Sequence, residues 1–303
     1  MNIEQLNAQF GNTEQVRFFA GKGGLPFIQV SNDQASALVS TYAGQVLSFQ
    51  AKGASDDLLF LSERAFFQQG KAIKGGVPIC WPWFGPDPEV LGRPAHGFVR
   101  NRQWNVIAVD TVSSTETKLV LGLRDSPETR EIWPYAFELL LEINVGSTLG
   151  LTLITRNLGD QSFVLSQALH TYFKVGDIDQ VKVLGLDAKD YLDKVENGKR
   201  KTQSGVVNID DEVDRVYLDV DQELIIEDPG LQRLIRITSS GSKTAVVWNP
   251  WSRISAQMAD LNDDDYRYML CVETANAVQD VVSLPPAGEY RLRADYRVES
   301  FVV

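Results

Sequence analysis

The chain contains only two histidines, His96 and His170, and each lies in a segment that suits a binding site. His96 follows a stretch rich in glycine, proline and tryptophan, whereas His170 lies in a run that predicts a strand. A later strand-like run, Met269–Asn276, carries one carboxylate, Glu273, in its middle. Two imidazoles and a carboxylate are sufficient for acid–base chemistry on a small polar substrate, provided that they converge in the fold.

Strand alternation predicts which side chains surround His170. With a period of two, its face is small or polar apart from one aromatic ring, which leaves space for a ligand. The members of that face are Ser166, Ala168, His170 and Tyr172, and those of the opposite, core-like face are Leu165, Leu169 and Phe173.

Glu273 is predicted on the same face of its run as Met269 and Cys271. A buried carboxylate without a partner is costly, so Glu273 lies either at a solvated strand end or along a cleft. Taken alone, a half-buried histidine with satisfied hydrogen bonds and a solvated glutamate are both ordinary structural features. Their combination is what suggests a catalytic site.

The composition limits the classes of partner. A formal net charge of −11 argues against binding to nucleic acid or to an anionic membrane, both of which need a basic surface. A small anionic substrate remains compatible, because screening over about 8 Å lets a local group of cations act independently. The first residues resemble no secretory signal, and no apolar run is long enough to span a bilayer. We therefore expect a cytoplasmic protein, acting as a monomer on a small molecule.

Several kinds of chemistry lack their sequence signatures. Cys80 and Cys271 lie in apolar settings, which predicts two buried free thiols, and their spacing from the histidines matches no zinc site. The chain has no Gly-x-Ser-x-Gly elbow, no phosphate-binding Gly-x-x-x-x-Gly-Lys loop and no Gly-x-Gly-x-x-Gly after a strand. We expect no cofactor and no metal. Of the kinds of chemistry considered, proton transfer on a bound substrate is the one that the sequence still supports.

The pattern of elements predicts an all-β sandwich in one domain, residues 1–303, after a short amphipathic N-terminal helix that presents Ile3, Leu6 and Phe10. Short β-like runs separated by turn residues are frequent and are not interrupted by helices. The predicted strands are 27–30, 37–40, 45–49, 104–109, 118–121, 136–145, 151–156, 181–186, 223–227, 234–238 and 245–248.

Residues 74–88 combine prolines, glycines and two tryptophans, which predicts a shaped loop and not a strand. The loop is either anchored in the core by its tryptophans or forms a rim whose aromatic rings and backbone amides contact a ligand. The segment Trp248-Asn249-Pro250-Trp251 leaves the same two alternatives open.

An ordered set of motifs resembles the aldose 1-epimerase (mutarotase) superfamily, and within it the glucose-6-phosphate 1-epimerase, or hexose-6-phosphate mutarotase, group. The resemblance runs from about Asp33 to Tyr296. Each motif alone is weak, but their order is specific. The motifs are Lys74-Gly75-Gly76-Val77-Pro78, Trp81-Pro82-Trp83-Phe84-Gly85, His96-Gly97-Phe98-Val99-Arg100, Leu169-His170-Thr171-Tyr172-Phe173, Glu212-Val213-Asp214-Arg215-Val216-Tyr217 and Cys271-Val272-Glu273.

The resemblance implies a galactose mutarotase-like β-supersandwich of large antiparallel sheets, with the site on a concave sheet. It implies that Glu273 is the general base and His170 the general acid. It further implies that His96 binds the sugar near its ring oxygen or a hydroxyl. The substrate-binding residues it adds are Lys74 and Arg100, for a phosphate, and Asp214, for the sugar.

One position departs from the family pattern. Lys74 stands where the family usually has arginine, so a point charge replaces a bidentate fork and Arg100 is expected to bind more of the phosphate. Arg64 is a weaker additional candidate for this role.

The implied reaction is the interconversion of the α and β anomers of a hexose 6-phosphate by ring opening and closure, with ionised Glu273 and protonated His170 at the start. Two other classes of protein stay open. A glycosidase would use Asp214 and Glu273 as its two carboxylates. A non-catalytic carbohydrate-binding sandwich would need neither His170 nor Glu273.

Overall fold

Alternating burial of side chains defines the strands of this molecule. The computed structural model describes residues 2–11 and 14–300. Along the strand Phe137–Val145 every second side chain is buried, and the positions between, which include Glu138 and Glu142, are partly exposed. This period of two is typical of a sheet with one face on the core.

The described residues form strands throughout the chain. In chain order they are β1 (Val16–Ala20), β2 (Pro26–Ser31), β3 (Ala35–Ser40), β4 (Gln45–Ala51), β5 (Ile79–Cys80), β6 (Asn105–Ser113), β7 (Glu116–Arg124), β8 (Phe137–Val145), β9 (Leu149–Asn157), β10 (Phe163–Leu165), β11 (Gln167–Leu169), β12 (Tyr172–Lys174), β13 (Lys182–Leu184), β14 (Asp190–Asp193), β15 (Lys199–Thr202), β16 (Val207–Asn208), β17 (Val213–Tyr217), β18 (Leu224–Asp228), β19 (Arg233–Ser240), β20 (Thr244–Asn249), β21 (Met269–Asn276), β22 (Val282–Leu284) and β23 (Glu289–Ser300).

Helices are short. The predicted N-terminal helix is confirmed: the Asn2 side chain accepts from the backbone N–H of Gln5, the Gln5 side chain returns the bond, and Leu6 is buried. The helices are α1 (Ile3–Phe10), α2 (Pro127–Ile132) and α3 (Trp251–Ser255), and the 3-10 turns are Lys22–Gly24, Val99–Asn101, Ile178–Gln180, Pro229–Leu231 and Asp265–Tyr268.

Two large antiparallel sheets pack against each other, as the sequence predicts. The eight-stranded sheet has the order β15-β14-β17-β20-β21-β11-β5, with β12 also paired to β21. The nine-stranded sheet has the order β16-β13-β18-β19-β23-β9-β8-β7-β6. Side chains of both sheets meet in the core; the rings of Phe173 on β12 and Tyr296 on β23, for example, lie 5.4 Å apart. A four-stranded sheet, β1-β2-β3-β4, and the pair β10-β22 complete the fold.

Every predicted strand overlaps an observed one, but the run around His170 needs a correction. It is not one continuous strand: β11 ends at Leu169, β12 begins at Tyr172, and His170 and Thr171 lie between them. The N–H of Thr171 donates to the Leu169 carbonyl, 2.9 Å away, which is a local turn and not a ladder bond. The predicted faces are nevertheless confirmed, because Leu169 and Phe173 lie in the core between the sheets.

The loop 74–88 is anchored in the core by its tryptophans. Trp81 and Trp83 are buried, and the Trp81 ring contacts those of Phe98, Trp133 and Phe137. The expectation that no part of this segment is a strand is wrong at β5, which pairs with β11. Of the two open alternatives, core anchoring describes Trp81 and Trp83.

Candidate active site

Strand register places His170 opposite Glu273. Leu169 pairs with Thr274 at the end of β11, and β12 resumes the same register on β21. Because His170 follows Leu169 and Glu273 precedes Thr274, the two side chains are cross-strand neighbours on the face of the eight-stranded sheet that points away from the core.

The two side chains form a close, buried pair. The Nε2 atom of His170 lies 3.4 Å from Oε1 of Glu273. Only 7% of His170 and 2% of Glu273 is exposed, so Glu273 lies in the middle of its strand and not at a solvated end. The remaining polar atoms, Nδ1 of His170 and Oε2 of Glu273, are buried without a hydrogen-bond partner among the described residues. Unpaired buried polar atoms are rare and costly, and at a cleft they mark positions for a ligand or water.

Packing and backbone contacts orient His170. Its N–H donates to the Pro78 carbonyl at 3.0 Å. Its ring stacks on Tyr172 with 4.9 Å between centroids and 11° between planes. Trp248 meets both rings edge-on, at 6.0 Å from each. Since Nδ1 of His170 has no partner within residues 2–11 and 14–300, the ring contacts with Tyr172 and Trp248 hold the orientation of the imidazole.

His96 joins the same site from a turn. The backbone of His96 has a φ of 64°, and the centroid of its ring lies 5.6 Å from that of the His170 ring. The N–H of Gly85 donates to Nδ1 of His96 at 3.3 Å, and the Phe84 ring packs against it edge-on. Because Nδ1 accepts, the neutral ring carries its proton on Nε2, which makes His96 a hydrogen-bond donor.

Burial shifts the pKa values of His170 and Glu273 in opposite directions. Loss of water raises the pKa of Glu273 well above its ordinary value, and the Asp214 charge raises it further. Burial lowers the pKa of His170 well below its ordinary value, and the positive charges of Arg100 and Lys74 add to this. Both shifts favour uncharged forms. The expected resting state, ionised Glu273 beside protonated His170, is therefore opposed by burial; a carboxylic acid beside a neutral imidazole holds the same single proton.

Two cations lie near the histidines. Burial lowers the pKa of His96 to about 3, and the charges of Arg100 and Lys74 lower it too. The guanidinium of Arg100 donates one hydrogen bond to the Ala95 carbonyl, at 3.0 Å. A guanidinium has five N–H donors in all. The ammonium of Lys74 lies 3.5 Å from a carboxylate oxygen of Asp260. Arg100 therefore has donors to spare, whereas Lys74 already has an internal partner.

Arg64 is a poor match to its predicted role. It is exposed, and its Nη1 donates to the Leu261 carbonyl at 3.1 Å. This contact ties two loops together.

Asp214 lies on the same face of the sheet as the pair. It stands on β17 opposite Trp248 of β20, and Trp248 stands opposite Cys271 of β21. Cys271 and Glu273 are two residues apart on one strand, so they share a face with Asp214. Burial raises the pKa of Asp214 to about 6, against the opposing charge of Lys194.

The structure thus brings all six predicted residues to one region, and it adds others that the sequence left unassigned. For Tyr172 the sequence predicts only that it shares a face with His170. For Trp248 it leaves open whether the side chain anchors a loop in the core or contacts a ligand. Asp260 carries no sequence signal, because it is one of several aspartates in the stretch 260–265. Within residues 2–11 and 14–300 no three His, Cys, Asp or Glu side chains are grouped to hold a metal ion. Cys80 and Cys271 are buried free thiols, as predicted.

The candidate site is thus a face of a large antiparallel sheet in a β-sandwich, with a buried histidine–glutamate pair and a second histidine that can donate a hydrogen bond. The aldose 1-epimerase family model matches residues 26–297, and the chain belongs to that family. It is therefore an isomerase, which disfavours both the glycosidase and the non-catalytic binding module.

Known proteins agree with this assignment. An Escherichia coli (strain K12) protein, whose name proposes a glucose-6-phosphate 1-epimerase, is 38% identical over 266 residues, covering 87% of this chain and 88% of that protein. A Cenchrus ciliaris protein with the same name is 38% identical over 268 residues, covering 85% and 79%.

Solved structures show the same fold. A candidate mutarotase (YeaD) from Salmonella typhimurium superposes with a TM-score of 0.89 at 33% identity, covering 98% of this chain and 99% of that one. A galactose mutarotase-like protein from Clostridium acetobutylicum superposes with a TM-score of 0.74 at 14% identity, covering 94% and 98%, and shows the fold alone. Among the helices of the described residues, none has the length and apolar character needed to cross a membrane.

Proposed function

We propose that the chain interconverts the α and β anomers of a hexose 6-phosphate, with glucose 6-phosphate as the substrate, using His170 and Glu273 as the acid–base pair. The observation that carries the proposal is the 3.4 Å contact between His170 Nε2 and Glu273 Oε1, with Arg100 and Lys74 close enough to lower the pKa of His170. A paired acid and base suit ring opening, and two cations beside them suit a phosphate.

The mechanism requires two proton transfers at the hemiacetal, one from the O1 hydroxyl and one to the ring oxygen. Glu273, as carboxylate, removes the proton from O1, while His170, as imidazolium, donates to the ring oxygen. The ring opens, C1 rotates about the C1–C2 bond, and the transfers reverse on closure. Glu273 and His170 exchange one proton to reach this state, so the net charge of the site is unchanged. His96 donates from Nε2 to the sugar, and Asp214 accepts from a hydroxyl further along the sheet face.

The pH dependence of kcat/KM follows from the shared proton. In the active state His170 and Glu273 together hold one titratable proton. Activity is lost in acid, when the imidazole of His170 is protonated while Glu273 keeps its own proton. Activity is lost in alkali, when Glu273 loses its proton and His170 is neutral. Because burial lowers the pKa of His170 and raises that of Glu273, both limbs move outward, and we expect a broad plateau through neutral pH with an acid limb below pH 6.5.

Free glucose is the substrate for this measurement, because a phosphate titrates near pH 6 and would add its own limb. Polarimetry of freshly dissolved α-glucose, corrected for the uncatalysed rate at each pH, gives the profile. A narrow bell with its acid limb above pH 6.5 would contradict a buried neutral pair.

The phosphate assignment is tested by Arg100→Ala. We expect KM for glucose 6-phosphate to rise roughly 10- to 100-fold, the loss of a charge-assisted contact, while KM for glucose changes little. Arg100→Lys should fall between. Arg124→Ala, which removes an exposed cation on the nine-stranded sheet, is the matched control. Equal effects on both sugars would show that Arg100 does not bind the phosphate.

A further inference from the structure

The ammonium of Lys74 is neutralised within the protein. Its Nζ lies 3.5 Å from Oδ2 of Asp260 and 3.9 Å from the sulfur of Met258. Only 17% of the Lys74 side chain and 21% of that of Asp260 is exposed, so water screens this ion pair less than a pair on the surface. A phosphate that binds Lys74 therefore meets a carboxylate already in place.

The loop that carries Asp260 is fixed. Residues 256–264 connect α3 to the turn before β21, and Leu261, next to Asp260, is fully buried. Arg64 donates to the Leu261 carbonyl, and the Asn262 N–H donates to the Asp265 side chain at 2.7 Å. The backbone of Asp260 thus lies beside a buried side chain in a hydrogen-bonded loop, which holds the residue next to Lys74.

We propose that Asp260 is a specificity-determining residue that competes with the substrate phosphate for Lys74; this inference rests on the proposed function. Because Asp260 cancels the charge of Lys74, the phosphate receives its net attraction from Arg100 and is repelled by Asp260. A substrate with an uncharged C6 hydroxyl meets no such repulsion. Asp260 therefore reduces the preference for phosphorylated over free hexose.

The direct test removes the carboxylate charge and measures anion binding without turnover. Calorimetric titration with inorganic phosphate, at fixed pH and ionic strength, should give a Kd about three- to tenfold lower for Asp260→Asn than for the unmodified protein. This is the size expected for removing one partly screened charge near a dianion. Asp263→Asn is the matched control, since Asp263 is exposed on the same loop, and it should leave phosphate binding unchanged.

Kinetics separate competition from positioning. Asp260→Asn should lower KM for glucose 6-phosphate by a similar factor, with a smaller change in kcat and in KM for glucose. Weaker phosphate binding by Asp260→Asn would mean that Asp260 orients Lys74 for the phosphate, and unchanged binding would mean that it does not compete; either overturns the inference. If the unmodified protein did not exchange glucose 6-phosphate, the proposed function would be refuted. The phosphate titration measures binding without turnover, so its result does not depend on that activity.

Discussion

Replacing Glu273 by glutamine is expected to lower kcat for anomer exchange by about 10²–10⁴-fold, the contribution of one general base. The amide has nearly the same shape as the carboxylic acid, so it fits the same buried position on β21 and donates and accepts there. It cannot accept the O1 proton at any accessible pH. The loss should therefore appear in kcat, with KM for the sugar changed far less.

The same substitution should not destabilise the fold. Glu273 is 2% exposed, its Oε2 has no hydrogen-bond partner among the described residues, and burial raises its pKa. Folding at neutral pH therefore costs the free energy of protonating this side chain, and an uncharged amide avoids that cost. We expect the Tm of Glu273→Gln, measured by calorimetry at neutral pH, to equal or exceed that of the unmodified protein. Glu142→Gln, on a β8 side chain paired with Lys118, is the control, and it should retain full activity. Lower Tm together with lost activity would point to misfolding and not to catalysis.

Replacing His170 by glutamine is expected to reduce kcat as severely, because in the proposed mechanism His170 and Glu273 exchange a single proton and act as a unit. Residues that act as a unit are strongly non-additive, so the double variant His170→Gln/Glu273→Gln should be no slower than the slower single variant. Saturation-transfer NMR measures the anomer-exchange rates of the unmodified protein, the two single variants and the double variant, which together form a double-mutant cycle.

Additive losses would contradict the shared-proton mechanism, because they would mean that His170 and Glu273 contribute independently. Substitution of His96 by glutamine, which retains a donor, provides the comparison. We expect His96→Gln to lower kcat less than His170→Gln or Glu273→Gln does, since in the proposed mechanism His96 donates a hydrogen bond and transfers no proton.

The predictability of the site differs from residue to residue. The faces of the strands around His170 and Glu273 follow from a period of two, which depends only on local backbone geometry. That these two residues stand opposite one another follows from the pairing of β11 and β12 with β21, and register between strands distant in sequence is set by the whole sheet. The family resemblance implied that His170 and Glu273 act together as acid and base, which periodicity alone does not indicate.

The properties that depend on packing were not predictable. The break in the strand at His170, the burial of Trp81 and the unfavourable charging of Glu273 all result from contacts between distant segments. Asp260 is the clearest case. Nothing in its local sequence distinguishes it from Asp263, and only the fold brings it to Lys74.

The proposed reaction, anomer exchange of a hexose 6-phosphate by the His170–Glu273 pair, can be observed directly. Saturation-transfer NMR on equilibrated glucose 6-phosphate, glucose and galactose measures exchange between the α and β H1 signals directly, with Glu273→Gln as the blank. We expect faster catalysed exchange for glucose 6-phosphate than for either free sugar, and only the uncatalysed rate with Glu273→Gln. Faster exchange of the free sugars, or unchanged exchange in Glu273→Gln, would contradict it.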